Sequence, residues 1–125
     1  MTHMAVCIDV PDLQAAESFY CGAFGFTKLD GHAKNSKLST GDIEIFLLLK
    51  EAGTSSVSNI STTRSYSRHW TPIHLDFRVE DFDQALDDVI EHGGAQEEVQ
   101  SGDWGSIAYC SDPFGNGFCL ICENT

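Results

Sequence analysis

The feature that most constrains this chain is a repeat. Val10-Pro11-Asp12-Leu13-Gln14-Ala15-Ala16 returns 69 residues later as Val79-Glu80-Asp81-Phe82-Asp83-Gln84-Ala85. Both copies read Val-x-Asp-apolar-x-x-Ala, and the same offset carries Gly25 onto Gly94. A period of that length in 125 residues means two copies of one supersecondary unit and little else.

Each copy sits at the same kind of junction. Before the first, Met4, Val6, Ile8 and Val10 alternate with His3, Ala5, Cys7 and Asp9; before the second, Ile73, Leu75, Phe77 and Val79 alternate with His74, Asp76, Arg78 and Glu80. A period of two predicts half-buried strands. After each copy the period becomes helical, through Leu13, Ala16, Tyr20 and Phe24, then Phe82, Ala85, Leu86, Val89 and Ile90. Asp12 and Asp81 are natural N-caps, because a carboxylate can accept from the orphan amides of a first helical turn. Gly25 and Gly93-Gly94 suit the helix exits. Short strand candidates follow at 26–31, 35–40 and 43–50, then at 95–100, 104–110 and 117–123. The chain therefore reads βαβββ twice. It is α+β, with a first module at 1–50, a polar Ser/Thr-rich connector loop at 51–71 and a second module at 72–125.

A duplicated βαβββ unit with these residues resembles the vicinal oxygen chelate superfamily. Asp12-Leu13, Phe19-Tyr20, Gly25-Phe26, Val79-x-Asp81, Trp104-Gly105 and the Asp112-Pro113-Phe114-Gly115-Asn116 hairpin carry the resemblance. Glyoxalase I, extradiol dioxygenases, fosfomycin-resistance enzymes and bleomycin-resistance proteins belong to it. The resemblance implies a curved mixed sheet or incomplete barrel around a cavity. It also implies a metal position in those members that use one, formed by four inward side chains, two per module.

Carried over residue by residue, those positions are poor in donors. The first is Ala5, the second Leu48 or Phe46 on the same face, the third His74 and the fourth Cys119. Hard ions such as Mg²⁺ want oxygen ligands, which this set lacks. The expectation is a cavity with no metal cofactor. The alternative is a displaced Zn²⁺ site of His3, His74 and Cys119, since imidazole and thiolate both suit zinc. Cys119-x-x-Cys122 is no chelate in a strand, where positions three apart face opposite ways.

Composition narrows the partners. Residues 1–71 hold seven acids against six bases, residues 72–125 twelve against one, for a net charge of −12. So acidic a chain is no nucleic-acid binder, and no apolar run is long enough for a membrane span. Five cysteines, an odd number without a secretory signal, point to reduced thiols in the cytoplasm. Arg64, Arg68 and His69 form the one basic cluster, either a solvated loop or a clamp on an anion.

The expected function is that of a glyoxalase/bleomycin-resistance-like binding protein. It would hold a cationic or aromatic small molecule, such as an antibiotic, through His74, Asp76, Arg78, Phe46, Leu48, Trp104 and Cys119. His74 would hydrogen-bond a neighbour such as Asp76 or Tyr109, and Trp70 would flank the pocket mouth. The alternative is a metal-dependent lyase, dioxygenase or thiol transferase of the same superfamily. Open sheet edges predict a homodimer.

Overall fold

The computed structural model describes residues 1–58 and 60–124. Residue 59 of the connector and residue 125 of the second module lie outside the described residues. The chain divides into two compact units, Met1–Tyr66 and Ser67–Thr125.

The first unit runs β1 (Ala5–Val10), α1 (Leu13–Phe24), β2 (Thr27–Gly31), β3 (Asn35–Ser39) and β4 (Glu44–Leu49). The second repeats it as β5 (Leu75–Arg78), α2 (Phe82–Glu91), β6 (Ala95–Gly102), β7 (Gly105–Ser111) and β8 (Gly117–Glu123). The sheet orders are β1-β4-β3-β2 and β5-β8-β7-β6. In each, the first strand pairs parallel to the last, and the other pairings are antiparallel. A parallel partner requires a crossover, and the helix with its two following strands supplies it. The architecture is two four-stranded mixed sheets with two helices, and neither sheet closes on itself.

Both helices start where the repeat places them. Asp12 Oδ1 accepts from the Ala15 amide at 3.0 Å, and Asp81 Oδ1 from the Gln84 amide at 3.1 Å. At the exit of α2 the chain turns through Gly93 at φ +99°, and the Gly94 amide reaches back to the Val89 carbonyl at 2.8 Å. This is the left-handed helix end that glycine adopts without a Cβ clash. Asp12→Ala and Asp81→Ala should each cost about 1 kcal/mol in urea unfolding, with the asparagine variants close to the parent.

Alternation sorts each sheet into two faces. In the first unit Val10, Ile45, Leu47 and Leu38 are fully buried, beside Ala16 and Phe19 of α1. Ala5, Cys7, Asp9, Glu44, Phe46 and Leu48 occupy the other face. In the second unit Phe118 and Leu120 are buried with Ala108 and Cys110, and α2 packs on β8 and β6. Gly117, Cys119, Ile121 and Glu123 point the opposite way, alongside Asp76 and Arg78 of β5.

The alternation predicted β5 from residue 73, but the strand begins at Leu75 and Ile73 is exposed. Thr71 Oγ1 donates to the Ile73 carbonyl, and this local turn occupies the backbone that would otherwise extend the strand.

Candidate functional site

The polar face of the second unit gathers the chemistry. On β5 and just before it, His74 and Asp76 are two residues apart and so share a face, and His74 Nε2 lies 3.2 Å from Asp76 Oδ1. The β5–β8 register sets Asp76 directly against Cys119. Among the described residues, His74, Asp76 and Cys119 form the one group of three donors whose ligand atoms all lie within 4.8 Å of one another. His74 and Asp76 are exposed and Cys119 is fully buried. Burial pushes the Cys119 thiol up to about 11, and the Asp76 carboxylate beside it adds to the rise. Without a cation Cys119 is thus a neutral thiol at pH 7.

A strap formed by residues 67–71 lies along this face. The His69 amide donates to the Gly115 carbonyl at 3.1 Å, and His69 bridges to Asn116. Trp70 settles over Gly117, where a Cβ would come within 2.8 Å of the indole carbons. Its ring meets the His74 ring edge-on at 5.5 Å and the Tyr109 ring at 6.0 Å, within the usual range for aromatic pairs. Its Nε1 donates to Glu97 at 3.1 Å. Hydrogen bonds from Arg68 hold the Glu97 carboxyl below its ordinary range, with the Trp70 N–H adding to the effect.

The other expected site residues are outside this three-donor group. Arg78 is exposed and pairs loosely with Glu123 at 3.5 Å. Trp104 stands half exposed in the turn between β6 and β7, with its indole against Gly102. Phe46 and Leu48 are half-buried on the first unit's polar face, where Lys37 sits 5.8 Å over the Phe46 ring. His3 is exposed ahead of β1 and is not in the donor group; Asp76 is the third donor there. The basic cluster divides between the units. Arg64 Nε donates to Asp9 at 2.7 Å in the first, and Arg68 to Glu97 in the second. Each arginine of that cluster already holds a carboxylate of its own unit, so neither is a free anion clamp.

The four positions that the resemblance implies for a metal do not fit a hard ion. Ala5 and Leu48 carry no donor atom, which leaves one imidazole and one thiol. The set His74, Asp76 and Cys119 is of another kind, one nitrogen, one oxygen and one sulfur from a single unit. It suits Zn²⁺, whose catalytic sites take three protein ligands.

A glyoxalase-like domain model matches residues 5–121. Solved structures match along almost the whole chain. The fosfomycin resistance protein FosX from Mesorhizobium loti shares 18% identity over 98% of this chain and 92% of its own, with a TM-score of 0.74. A mutant FosX from Listeria monocytogenes, solved with Mn(II) and 1S,2S-dihydroxypropylphosphonic acid, shares 14% over 99% and 92%, with a TM-score of 0.75. Lactoylglutathione lyase from Agrobacterium tumefaciens shares 18% over 97% and 92%, with a TM-score of 0.63. At these identities the likeness establishes the fold. No curated protein sequence matches the chain.

Proposed function

The chain belongs to the glyoxalase-like domain family, and from that premise we propose that it binds a small aromatic or cationic molecule on the polar face of its second unit, with no metal quartet. The observation that carries this reading is the pair Ala5 and Leu48, which removes the first unit's share of the donors while His74 and Cys119 remain. A face with an imidazole, a carboxylate, a buried thiol and two aromatic rings orients a ligand through few polar groups and holds it by burial. Its acidity favours cations, as does the excess of twelve acids over one base in residues 72–125. Five free cysteines support a reducing compartment, and among the described residues no helix is long and apolar enough to cross a membrane.

The experiment is native mass spectrometry against a panel of cationic and aromatic antibiotics and metabolites, with metal analysis of the purified protein. His74→Ala should weaken the binder found by roughly 5- to 150-fold, the 1–3 kcal/mol of a hydrogen bond lost to the bound ligand, and leave the circular dichroism unchanged. An unaltered affinity would remove His74 from the site.

The convergence of His74, Asp76 and Cys119 favours a second reading, a metal-dependent lyase, dioxygenase or thiol transferase, of which redox-inactive zinc suits the lyase and the transferase. When bound, zinc would supply a Lewis acid at those three donors. The thiol would have to surrender a proton first, so uptake would strengthen as pH rises. One equivalent of zinc, lost in Cys119→Ala and in Asp76→Ala, would establish this reading over the first.

We also propose a homodimer. Two of the four edge strands, β1 and β5, each paired on one side within its sheet, support it. Sedimentation as a 13.7 kDa species at micromolar concentration would refute it.

A further inference from the structure

Arg68 is engaged along its whole guanidinium. Nε and Nη2 donate to the two oxygens of Glu97, Nη1 donates to the His69 and Gly115 carbonyls, and the guanidinium carbon stands 4.7 Å from the centre of the Trp70 ring. A bidentate carboxylate, two further acceptors and an aromatic face complement a planar forked cation. A compact ammonium would match the charge but could not fill the fork or stack flat on the indole.

This seat is formed by parts outside the arginine. Trp70 rests on Gly117, whose lack of a side chain admits the ring, and Trp70 Nε1 binds Glu97 independently. Glu97 reaches the face through a register shift between Gln96 and Glu98 of β6. The Gly115 carbonyl is fixed by the Asp112–Asn116 turn. Its tryptophan edge meets His74, so the seat adjoins the three-donor group. Lifting Arg68 out would leave one carboxylate, two carbonyls and a π face with no other cation among the contacts.

We propose that this seat is a subsite for a guanidinium or amidinium group and that Arg68 is its resident occupant, displaced when a ligand bearing such a group binds. The assignment of the seat to a ligand site rests on the reading given under Proposed function; the seat's preference for a planar cation does not. The exchange has an unusual consequence. Tethered beside its own seat, Arg68 competes at high effective concentration, so deleting this cation should strengthen binding of an external one.

The test follows the indole N–H resonance of Trp70, assigned with Trp104→Phe, during titration with ethylguanidinium or ethylammonium chloride at matched ionic strength. Arg68→Ala should show a saturable shift with ethylguanidinium, at least about ten-fold tighter than in the parent and about ten-fold tighter than with ethylammonium. Glu97→Gln added to Arg68→Ala should abolish it. Equal affinity in parent and variant, or equal response to the two cations, would overturn the proposal. Arg68→Lys covers the case in which alanine loosens the strap, because it keeps a charge and lacks the planar fork. It should bind ethylguanidinium more tightly than the parent, and parity there would also overturn the proposal. No candidate ligand enters this titration, so an empty ligand panel and an absent exchange are separate failures.

Discussion

Gly105→Ala should unfold the second unit. Gly105 opens β7 at φ +141°, a conformation that side chains rarely adopt, and it is buried. A Cβ there would fall 2.1 Å from the Cys122 carbonyl oxygen and 2.9 Å from the Glu123 Cα. Both obstacles are backbone of β8, held by the pairing of Ser106 with Cys122 and by the Asn124 amide on the Trp104 carbonyl at 2.8 Å. Nothing flexible is available to move. The strained torsion and the clash together should cost more than about 4 kcal/mol, a large part of an ordinary domain's stability. The check is soluble yield with urea unfolding followed by Trp70 emission. A variant within about 1 kcal/mol of the parent would show that β8 yields where this register says it cannot.

Asp112→Ala should come next in severity. The residue is 4% exposed; its Oδ1 accepts from the Phe114 and Asn116 amides and its Oδ2 from the Asn116 side chain, all at 2.9 Å. Alanine would leave the buried Phe114 amide and the part-buried Asn116 amide without that acceptor, at roughly 1–3 kcal/mol for each one that water does not reach. A total loss of about 2–5 kcal/mol is expected, with faster hydrogen exchange at Phe114 and Asn116. Asp112→Asn retains a carbonyl for the two amides and should lose less than half as much. Since the same turn presents the Gly115 carbonyl to His69 and Arg68, the alanine variant should also shift the Trp70 indole resonance.

The fold was legible because its determinants are local. Alternation at Val6, Ile8 and Val10 fixes a face within one strand, and Asp12 and Asp81 cap the amides three residues on. The site was legible only where local rules reach. His74 and Asp76, two apart, had to share a face, so Asp76 could have been read as a donor beside His74, where the sequence suggested His3. Glu97 could not have been found this way. It lies in an acidic pair within a plain strand sequence, and the register shift that delivers it depends on β7. Nor does sequence show that Trp70 lands on Gly117, 47 positions away, because that contact is set by the strap and the hairpin together. Arg64 and Arg68 read as one basic patch because they are neighbours in sequence; the unit boundary between Tyr66 and Ser67 assigns them to different units, each with its own carboxylate partner.

The strand that carries Glu97 also bears on how the protein avoids open-ended strand addition between copies. β6 is one of the two edge strands of its sheet, and all eight of its residues are exposed. A long regular edge of that kind is a template on which another chain can add a strand and begin a fibril. Here the irregularity between Gln96 and Glu98 breaks the template, and the adjacent carboxylates at Glu97 and Glu98 repel a like strand laid beside them. Colloidal stability and the cation seat thus depend on the same bulge. Straightening it would offer neighbouring molecules a continuous ladder and withdraw the carboxylate from Arg68.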